Sequence, residues 1–394
     1  MSLLAPGSEE EASALVAEAA AARRPLAVAG SGSKAAIGRP AQTEATLSAS
    51  GLTGITLYEP AELVIAAKAG TPLSVVQRTL AERGQDLPFE PLDYRPLLGS
   101  RGEPTIGAVA AGNLSGPRRI MAGAARDSLI GVRFVNGAGE AVKSGGRVMK
   151  NVTGLDLVKL MAGSWGTLGF LTEVTFKVLP KAERAATLIF RGLDDARAVE
   201  ALCEALASPF EVTGAAHLPG TDGQGGRTIL RVEGFSFSVD YRIGELRRLL
   251  ESCGTTDILE GRGHEALWQS VRDATLLAEP RDRAVWRLSV APTKGPELTA
   301  LIGRAVDARW FYDWGGGLIW LAADAAGDAG AAAIRTALLT TGGHATLVRA
   351  PAELRAAIDV FQPLPEPVMR VTAGLKAALD PHGILNPGRM YAGV

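Results

Sequence analysis

Short apolar segments alternate with long glycine-rich loops over the first 180 residues, and this alternation restricts the fold more than any other feature. Asn136-Gly137 lies between two apolar runs and predicts a hairpin. The pair Thr71-Pro72 predicts a helix over 71–84 that Thr71 caps. Long ordered loops between such elements usually bind a ligand, so the glycine clusters are the candidate site. Four apolar runs bounded by turn residues predict strands: 25–30, 63–70, 129–142 and 169–180.

The region after Pro180 shows one order of predicted elements twice. Each copy runs strand, helix, strand, strand, helix, which is typical of an α+β sheet layered with helices. The first copy covers 186–252, and the second covers 284–341 with a further strand at 345–350. A last helix is predicted at 367–379. Because 394 residues exceed one compact core, we expect two domains.

Charge and composition exclude several classes of protein. Lys plus Arg is 41 and Asp plus Glu is 42, so there is no electrostatic case for nucleic-acid binding. No apolar run approaches the roughly 20 residues that span a bilayer. The N-terminus does not resemble a signal peptide and predicts a helix capped at Ser8, with Glu9 to Glu11 in its first turn.

The two cysteines, Cys203 and Cys253, form no metal motif and cannot by themselves ligate an iron–sulfur cluster. We expect inert thiols in a reducing cytosol. The four histidines are scattered, without the spacing of metal ligands, so no metal site is predicted. They are His217, His264, His344 and His382.

The first glycine cluster is Gly30-Ser31-Gly32-Ser33-Lys34, after an apolar run. It matches the loose dinucleotide pattern G-x-G-x-x-G/A, but Gly38 and Pro40 would break the helix that this fold requires. The Walker pattern is also absent. Two interpretations remain: an ordinary glycine turn, or a nest of backbone N–H groups that binds an anion.

Two further glycine clusters follow, at 102–119 and 145–180. Small residues let a backbone approach a flat ligand closely. Three such loops in one domain indicate a long ligand that is held along its length.

These segments resemble a known family. The loops at 30–38, 102–127 and 145–180 resemble the FAD-binding domain of the vanillyl-alcohol oxidase superfamily, the p-cresol methylhydroxylase (PCMH) type. "TIGAVAAGNLSGPRR", "KNVTGLDLVKLMAGSWGTLGFLTEV" and the terminal "GILNPGRM" are similar to the FAD-binding subunits of bacterial glycolate oxidases. The resemblance covers residues 20–180 and about the last 15, and it is weak in the central region.

The resemblance implies an α+β fold with three parts. Residues 1–180 would form a PCMH-type FAD-binding domain of two α+β subdomains, and 181–365 an α+β (ferredoxin-like) cap. Residues 366–394 would form a C-terminal segment that returns to the FAD domain.

The resemblance also implies contacts with FAD. The first loop would hold the pyrophosphate through backbone N–H groups, and the second would line the pyrophosphate and isoalloxazine. The strand after the third cluster would meet the adenine end, and Arg389 would either contact the flavin or seal the fold. The implied residues are Ala29, Gly30, Ser31, Gly32, Ser33, Lys34, Pro104, Thr105, Ile106, Gly107, Ala110, Gly112, Asn113, Gly116, Asp127, Gly163, Gly166, Gly169, Phe170, Val174 and Arg389.

The sequence departs from the family pattern in several places. Many members tether FAD through a histidine or cysteine, but the first loop has only Ser31 and Ser33 there, so non-covalent FAD is expected. Ala108 stands where a second glycine is usual, and its one extra methyl group is expected to be tolerated. Thr153 and Leu155 replace an alanine and a tyrosine, so a tyrosine contact is not expected.

No catalytic base is identified from the sequence. Oxidising a 2-hydroxy acid requires a flavin, a base for the hydroxyl proton and cations for the carboxylate. Related catalytic subunits carry a Gly-Asp-Gly-Asn-x-His element, which is absent here, and His382 is the histidine nearest the returning tail. Arg118 and Arg119 could face the flavin, bind a substrate carboxylate, lie in solvent or contact a partner.

Three other features leave alternatives open. Asp127 could brace its loop or act as an acid, and Lys150 with Asn151 could bond FAD or support a turn. The stretch 309–320, rich in aromatics, predicts a hairpin with a glycine turn. Its aromatics could pack in a core or form an exposed ridge for a protein interface.

The resemblance implies a subunit of a glycolate oxidase complex that forms glyoxylate. Its partners would be a second FAD-containing catalytic subunit and an iron–sulfur subunit, in the cytoplasm or peripheral at the inner face of the membrane through those partners. The alternatives are a self-sufficient FAD-dependent dehydrogenase of a small hydroxy acid, and a flavin-retaining scaffold without turnover.

Overall fold

The computed structural model describes residues 2–146, 155–220 and 225–394. They form two compact units, each described by itself. Unit 1 is drawn from Met1–Ser115, Gly123–Lys181 and Asp359–Val394. Unit 2 is drawn from Gly116–Ala122 and Ala182–Ile358. A short segment of the second glycine cluster thus belongs to unit 2, although the residues on both sides of it belong to unit 1.

The chain up to residue 181 contains short strands and short helices. Its strands are β1 (Ser2–Leu4), β2 (Leu26–Ala29), β3 (Ala45–Ser48), β4 (Ile55–Glu59), β5 (Val64–Lys68), β6 (Gln85–Asp86), β7 (Leu129–Val135), β8 (Ala141–Gly145), β9 (Phe170–Lys177) and β10 (Leu179–Pro180). Its helices are α1 (Glu9–Ala21), α2 (Leu73–Ala81), α3 (Arg95–Leu98), α4 (Ile106–Gly112), α5 (Arg119–Ala122), α6 (Ala125–Ser128) and α7 (Leu157–Met161).

Unit 1 contains two main sheets. A parallel sheet has the strand order β1-β3-β2, and an antiparallel sheet has the order β4-β5-β9-β7-β8. The four predicted strand regions are confirmed as β2, β5, the β7–β8 hairpin and β9. In the hairpin, Asn136 accepts hydrogen bonds on Oδ1 from the N–H groups of Ala138 and Glu140, which fixes the turn.

Helix capping agrees with the sequence at α1 but not at α2. Ser8 caps α1, and its hydroxyl accepts the N–H of Glu11 at 3.1 Å. The prediction that Thr71 caps α2 is wrong, because Pro72 is the N-cap and no side chain caps that helix. The Thr71 hydroxyl instead donates to the carbonyl of Lys68 at 2.7 Å, so it braces the turn before the helix.

Unit 2 is built around one sheet of eight strands with the order β14-β11-β13-β12-β16-β17-β15-β18. Its strands are β11 (Arg184–Arg191), β12 (Gly214–Leu218), β13 (Arg227–Gly234), β14 (Thr256–Leu259), β15 (Ala284–Ser289), β16 (Ala308–Asp313), β17 (Leu318–Ala323) and β18 (His344–Arg349). Its further helices are α8 (Asp195–Ala207), α9 (Ser236–Leu249), α10 (Gly261–Arg272), α11 (Gly295–Gly303), α12 (Ala331–Thr341) and α13 (Ala352–Ala357).

The predicted repetition in this region is confirmed. Each half of the sheet runs β-α-β-β-α-β, which is the ferredoxin-like order. The halves join where β12 pairs with β16. The sequence did not predict β14, which is short and half exposed, or α10, which connects the halves.

The aromatic stretch over 309–320 forms the β16–β17 hairpin as predicted. Phe311, Tyr312 and Trp320 are at most 2% exposed, so these side chains pack in the core. The core interpretation is therefore confirmed, and an exposed aromatic ridge is wrong for these three residues.

The C-terminal segment belongs to unit 1 and begins with α14 (Glu366–Leu379). Lys376 of this helix is 6% exposed, and its ammonium group donates to the carbonyls of Thr167 and Leu385 and to the carboxylate of Asp380, at 2.7–2.8 Å. Leu385 forms a parallel bridge with Leu26 beside β2. Within the described residues, no helix is long and apolar enough to cross a membrane.

Candidate functional site

The first glycine cluster follows β2 as an irregular loop whose carbonyl groups are held from several sides. Ser48 donates its hydroxyl to the carbonyl of Gly30 at 2.6 Å. Ser100 donates to the carbonyl of Ser33 at 2.8 Å. Arg389 donates to the carbonyl of Lys34 at 3.1 Å. The loop's acceptors are therefore used within unit 1.

The backbone donors of the same loop are not used in this way. Among the described residues, the N–H groups of Ser31, Gly32, Ser33 and Lys34 have no hydrogen-bond partner. Gly32 has a φ of +83°, a conformation that glycine adopts without strain. Successive free N–H groups around such a residue form an anion-binding nest.

Lys34 adds a buried positive charge to this nest. Its side chain is buried, and among the described residues its ammonium group has one hydrogen bond, to the hydroxyl of Ser33 at 3.2 Å. Burial lowers the pKa of Lys34 to about 8, against the opposing effect of Asp93. A buried ammonium that lacks an ionised hydrogen-bond partner is costly, and an anion in the nest would remove that cost. The residues present therefore fit a pyrophosphate.

Arg389 holds the C-terminal tail against the first loop, and its contact with the flavin stays a prediction. Its guanidinium group donates to the carbonyls of Val28 and Lys34, and its own carbonyl accepts the N–H of Arg39 at 2.8 Å. A Cβ atom on Gly38 would lie 2.8 Å from the Arg389 side chain, so the two segments pack closely.

The second glycine cluster is a capped helix and has few free donors. The Thr105 hydroxyl caps α4 by accepting the N–H of Ala108. The N–H of Ile106 donates to the carbonyl of Thr71, and the N–H of Gly107 donates to the carbonyl of Ala69. The first N–H groups of this helix are therefore satisfied inside the protein and are not open to a phosphate.

The end of the second cluster is braced by side chains. Asn113, with a φ of +48°, accepts the N–H of Arg126 on its side-chain oxygen at 2.9 Å. Asp127 accepts the N–H of Ala124 at 2.8 Å, which favours a bracing role over an acid. Gly116 lies in unit 2, where its carbonyl accepts the indole N–H of Trp314 at 3.0 Å.

The third cluster packs against the start of the first loop. A Cβ atom on Gly166 would lie 2.9 Å from both Val28 and Asn386, so only glycine fits there. Asn386 donates to the carbonyl of Trp165 at 2.8 Å and accepts the N–H of Val28 at 2.8 Å. Lys150, Asn151 and Thr153 lie outside the described residues, and Leu155 is 83% exposed.

Most of the predicted FAD residues are thus brought together in unit 1. The first and second loops touch, since a Cβ atom on Gly30 would lie 2.3 Å from the hydroxyl oxygen of Thr105. Four residues are placed by their elements: Ala29 ends β2, Ala110 is buried in α4, and Phe170 and Val174 are buried in β9. The carbonyl of Pro104 accepts the N–H of Leu73, and Gly112 ends α4. Gly163 and Gly169 precede β9, and Gly169 packs against Phe134.

The two arginines of the second cluster are held within unit 2. Arg118 forms an ion pair with Glu233 at 2.8 Å. Burial acts to raise the pKa of Glu233, but Arg231 and Arg118 outweigh it and lower that pKa to about 2. The guanidinium carbon of Arg119 lies 4.5 Å from the ring centre of Trp314. The alternative that these two arginines simply lie in solvent is therefore wrong.

The histidines are placed as structural or exposed residues. His217 is buried and shares a hydrogen bond with Thr228 at 2.9 Å, and His264 is buried beside Thr187 at 2.8 Å. His344 and His382 are exposed. Within the ranges that the structure describes, no three His, Cys, Asp or Glu side chains are grouped to hold a metal.

Sequence reasoning missed two residues that shape the first loop: Ser48 and Ser100. Ser48 and Ser100 act over separations of 18 and 67 residues. Asn386 lies 358 residues from Val28. The Asn-Pro-Gly-Arg tail indicated a return to this region, but no local pattern marked the two serines.

Comparisons with known proteins identify the family of this chain. Residues 2–145 match the family model FAD_binding_4, described as an FAD binding domain. The glycolate oxidase subunit GlcE of Escherichia coli is 35% identical over 377 residues, 96% of this chain and 95% of that protein. A D-lactate dehydrogenase of Anaerostipes hadrus is 34% identical over 140 residues, 35% of this chain and 28% of that protein.

Solved structures share the fold at low identity. A 4-ethylphenol oxidase from Gulosibacter chungangensis superposes with a TM-score of 0.73 and 15% identity, over 98% of this chain and 88% of its own. A p-cresol methylhydroxylase gives 0.73 and 13%, with the same coverage. The prediction of an α+β, PCMH-type flavoprotein fold is confirmed. The chain belongs to the family of FAD-binding glycolate oxidase subunits represented by GlcE.

Proposed function

We propose that this chain is the FAD-binding subunit of a complex that oxidises a small 2-hydroxy acid, glycolate, to glyoxylate. The single observation that carries this proposal is the similarity to a glycolate oxidase subunit along almost the whole of both chains. The partial similarity to D-lactate dehydrogenase supports the wider class of 2-hydroxy-acid substrates.

The proposed FAD site lies in a domain of residues 1–180 that the segment 366–394 closes, with 181–365 as the cap. The free N–H groups of Ser31 to Lys34 and the ammonium group of Lys34 would hold the pyrophosphate. The second loop would contribute side chains and packing, because its first N–H groups are already bonded. FAD would be non-covalent, since the first loop has neither histidine nor cysteine.

Bound FAD would supply the hydride acceptor for the oxidation. The chain's own residues offer little for the proton of the substrate hydroxyl. Unit 1 contains one histidine, His382, which is exposed, and Arg118 is paired with Glu233. We therefore place the base in a second FAD-containing subunit, and the onward electron path in an iron–sulfur subunit.

An absorption spectrum of the chain expressed alone tests both parts of this proposal. We expect a flavin spectrum that denaturant releases completely. Anaerobic glycolate or D-lactate should leave that flavin oxidised until the partner subunits are added. Flavin that stays on the denatured chain would contradict the non-covalent assignment.

Reduction of the isolated chain by either acid would instead support the self-sufficient dehydrogenase. Flavin that remains oxidised in the assembled complex, during turnover by the partner, would support the scaffold. A chain that binds no FAD would overturn the proposed cofactor site.

A further inference from the structure

Three aromatic side chains at the start of α9, in unit 2, are exposed to solvent. Phe235 is 68% exposed, Phe237 is 79% exposed and Tyr241 is 64% exposed. The rings of Phe235 and Phe237 are stacked, with 6.4 Å between their centres and 7° between their planes. An aromatic side chain carries roughly 150–250 Å² of surface, so about 300–500 Å² of this aromatic patch lies in solvent, as much as the largest apolar patch of a typical monomer.

The packing of α9 on the sheet does not require these aromatics. Val239, Ile243 and Leu246 are buried and recur at the spacing of one helix face. Phe237 and Tyr241 are four residues apart and lie on the opposite face, which is usually polar in a helix on a protein surface. The exposed face of α9 is therefore aromatic at its first two turns.

Capping of α9 does not explain the patch either. Phe235 is the N-cap residue, a position that favours serine, threonine, asparagine and aspartate, and its side chain makes no capping hydrogen bond. Ser236 follows, but its hydroxyl donates to the carboxylate of Glu183 at 2.8 Å. The phenylalanine at the helix start is thus locally unfavourable.

Gly244 continues the exposed face, three residues after Tyr241. A glycine inside a helix destabilises it relative to alanine. A Cβ atom on Gly244 would meet no described atom within 4 Å, so the packing of this chain gives no reason for the glycine. A second protein that approaches the helix backbone closely would give one.

Acidic side chains border the aromatic patch. Glu183 accepts the hydroxyl of Ser236, which lies between the two phenylalanines in the chain. Arg184 donates to Asp240 at 2.7 Å and to Glu260 at 2.6 Å, and thereby holds both carboxylates at this end of the sheet. Three carboxylates therefore stand against one guanidinium group, so the border is negatively charged.

This charge distinguishes between three kinds of occupant. The neighbouring ion pair of Arg242 with Glu211 adds no net charge to the border. A second copy of this chain, in a two-fold dimer, would bring two acidic borders together. An anionic membrane surface would also repel the border. A different protein, with an apolar cleft that lysine or arginine side chains surround, is complementary in both polarity and charge.

We propose that the aromatic patch of Phe235, Phe237 and Tyr241 docks this chain onto another subunit of its complex, in an apolar cleft bordered by lysine or arginine. The inference rests on the proposed function, because it requires that such a complex forms. The similarity to an oxidase subunit along almost the whole chain supports a different protein over a second copy.

Biolayer interferometry of the full chain, saturated with FAD, tests the proposal against the immobilised partner subunits. Phe237→Ser and Tyr241→Ser should each raise the Kd roughly ten- to a hundredfold, as at the aromatic anchors of other interfaces. Leu339→Ser removes an exposed apolar side chain from α12, in the same unit, and should leave the Kd unchanged. All three variants should keep the flavin spectrum and melting temperature of the unaltered chain, because the replaced side chains are exposed.

Two further variants test the acidic border and the glycine. Asp240→Lys should slow association roughly tenfold at low salt, and the difference should shrink as salt is added. Glu200→Lys is its matched control, since Glu200 is an exposed carboxylate of α8 that also pairs with an arginine. Gly244→Ala should raise the melting temperature of the chain alone and yet weaken its binding to the partner subunits.

The outcomes separate this inference from the proposed function. If the partner subunits bind Phe237→Ser and Tyr241→Ser as tightly as the unaltered chain, the complex stands and the docking patch is refuted. Equal weakening by Leu339→Ser would also refute it. If the unaltered chain binds no partner subunit, the proposed function fails and this inference fails with it. Self-association of the chain alone, or binding to anionic vesicles, that Phe237→Ser abolishes would assign the patch to another occupant and overturn the proposal.

Discussion

Two lysines of unit 1 are equally buried and differ in what surrounds their charge. Lys34 and Lys376 are each 6% exposed, and burial lowers the pKa of both. The Lys376 ammonium group meets two carbonyls and the carboxylate of Asp380. In the part of the chain that the structure describes, the Lys34 ammonium group donates to one group, the hydroxyl of Ser33. The charge of Lys376 is neutralised by the fold, whereas that of Lys34 has no ionised hydrogen-bond partner among the described residues.

This difference separates stability from function within one unit. A buried cation that protein oxygens surround connects the segments that supply those oxygens, here α14, the loop before β9 and the C-terminal tail. A buried cation without such a partner makes the empty protein less stable and the anion complex more stable. A substitution at the Lys376 site should therefore lower stability, whereas a substitution of Lys34 should lower the affinity for the anion.

The largest expected effect is at the neutralised site. Asp380→Ala leaves Lys376 buried without its carboxylate and also removes the acceptor for the N–H groups of Ile384 and Leu385. Breaking a buried pair from one side costs roughly 3–5 kcal/mol. We expect that loss in the free energy of urea unfolding, whether FAD is present or absent.

The control for this prediction is a double variant, Lys376→Met with Asp380→Leu. Removing both charges should cost clearly less than Asp380→Ala, because no uncompensated ion remains. A loss below about 1 kcal/mol for Asp380→Ala would show that Lys376 is not a buried cross-link.

The next effect is at the open site. Lys34→Met should leave the stability of the FAD-free chain unchanged or higher, because a buried charge without an ionised partner is removed. FAD affinity should fall about ten- to a hundredfold, equivalent to the roughly 1.5–3 kcal/mol of a hydrogen bond to a charged group. Flavin fluorescence titration measures the affinity, and Lys143→Met, at an exposed position of β8, is the control.

The pH dependence of FAD binding sharpens the same comparison. The pKa of Lys34 is about 8 in the free chain, and a bound anion would raise it. Affinity should therefore be flat below pH 8 and fall by up to about tenfold per pH unit above it. The FAD-free chain should instead become more stable as the pH rises above 8, because Lys34 in the unfolded chain keeps its proton up to the ordinary lysine pKa of 10.5.

Both slopes should disappear in Lys34→Met, at constant ionic strength. A variant that keeps the fall in affinity above pH 8 would assign the titration to another group. The readouts are fluorescence titration for affinity and urea unfolding for stability, each from about pH 7 to about pH 9.5, which brackets the titration of Lys34.

The sequence predicted the order of elements well and the chemistry of the loops less well. Strands β11 to β13 and β15 to β18 follow apolar runs bounded by turn residues, which local patterns mark clearly. The two glycine clusters looked alike, yet Gly107 donates to Ala69 while Gly32 donates to no described residue. That distinction depends on which distant carbonyls approach each loop, and no local pattern encodes it.

The environments of Arg118 and Arg309 also could not be predicted from local sequence. Arg118 was open to several interpretations, because Glu233 lies 115 residues away. Arg309 lies in an aromatic stretch that predicted only a hairpin, and the sequence did not predict that its Nε and Nη2 atoms are buried without a hydrogen-bond partner among the described residues.

The smallest expected effect concerns the backbone of the two loops. Gly32→Ala meets no atom within 4 Å, but its φ is +83°, which costs a non-glycine residue roughly 1–2 kcal/mol. If FAD binding holds this conformation, affinity should fall severalfold while the rest of unit 1 stays folded. Gly107→Ala places its Cβ 2.6 Å from Ala69 in the fold itself, so it should lower stability with and without FAD alike. If both variants affected only stability, the first loop would not be the ligand-binding one.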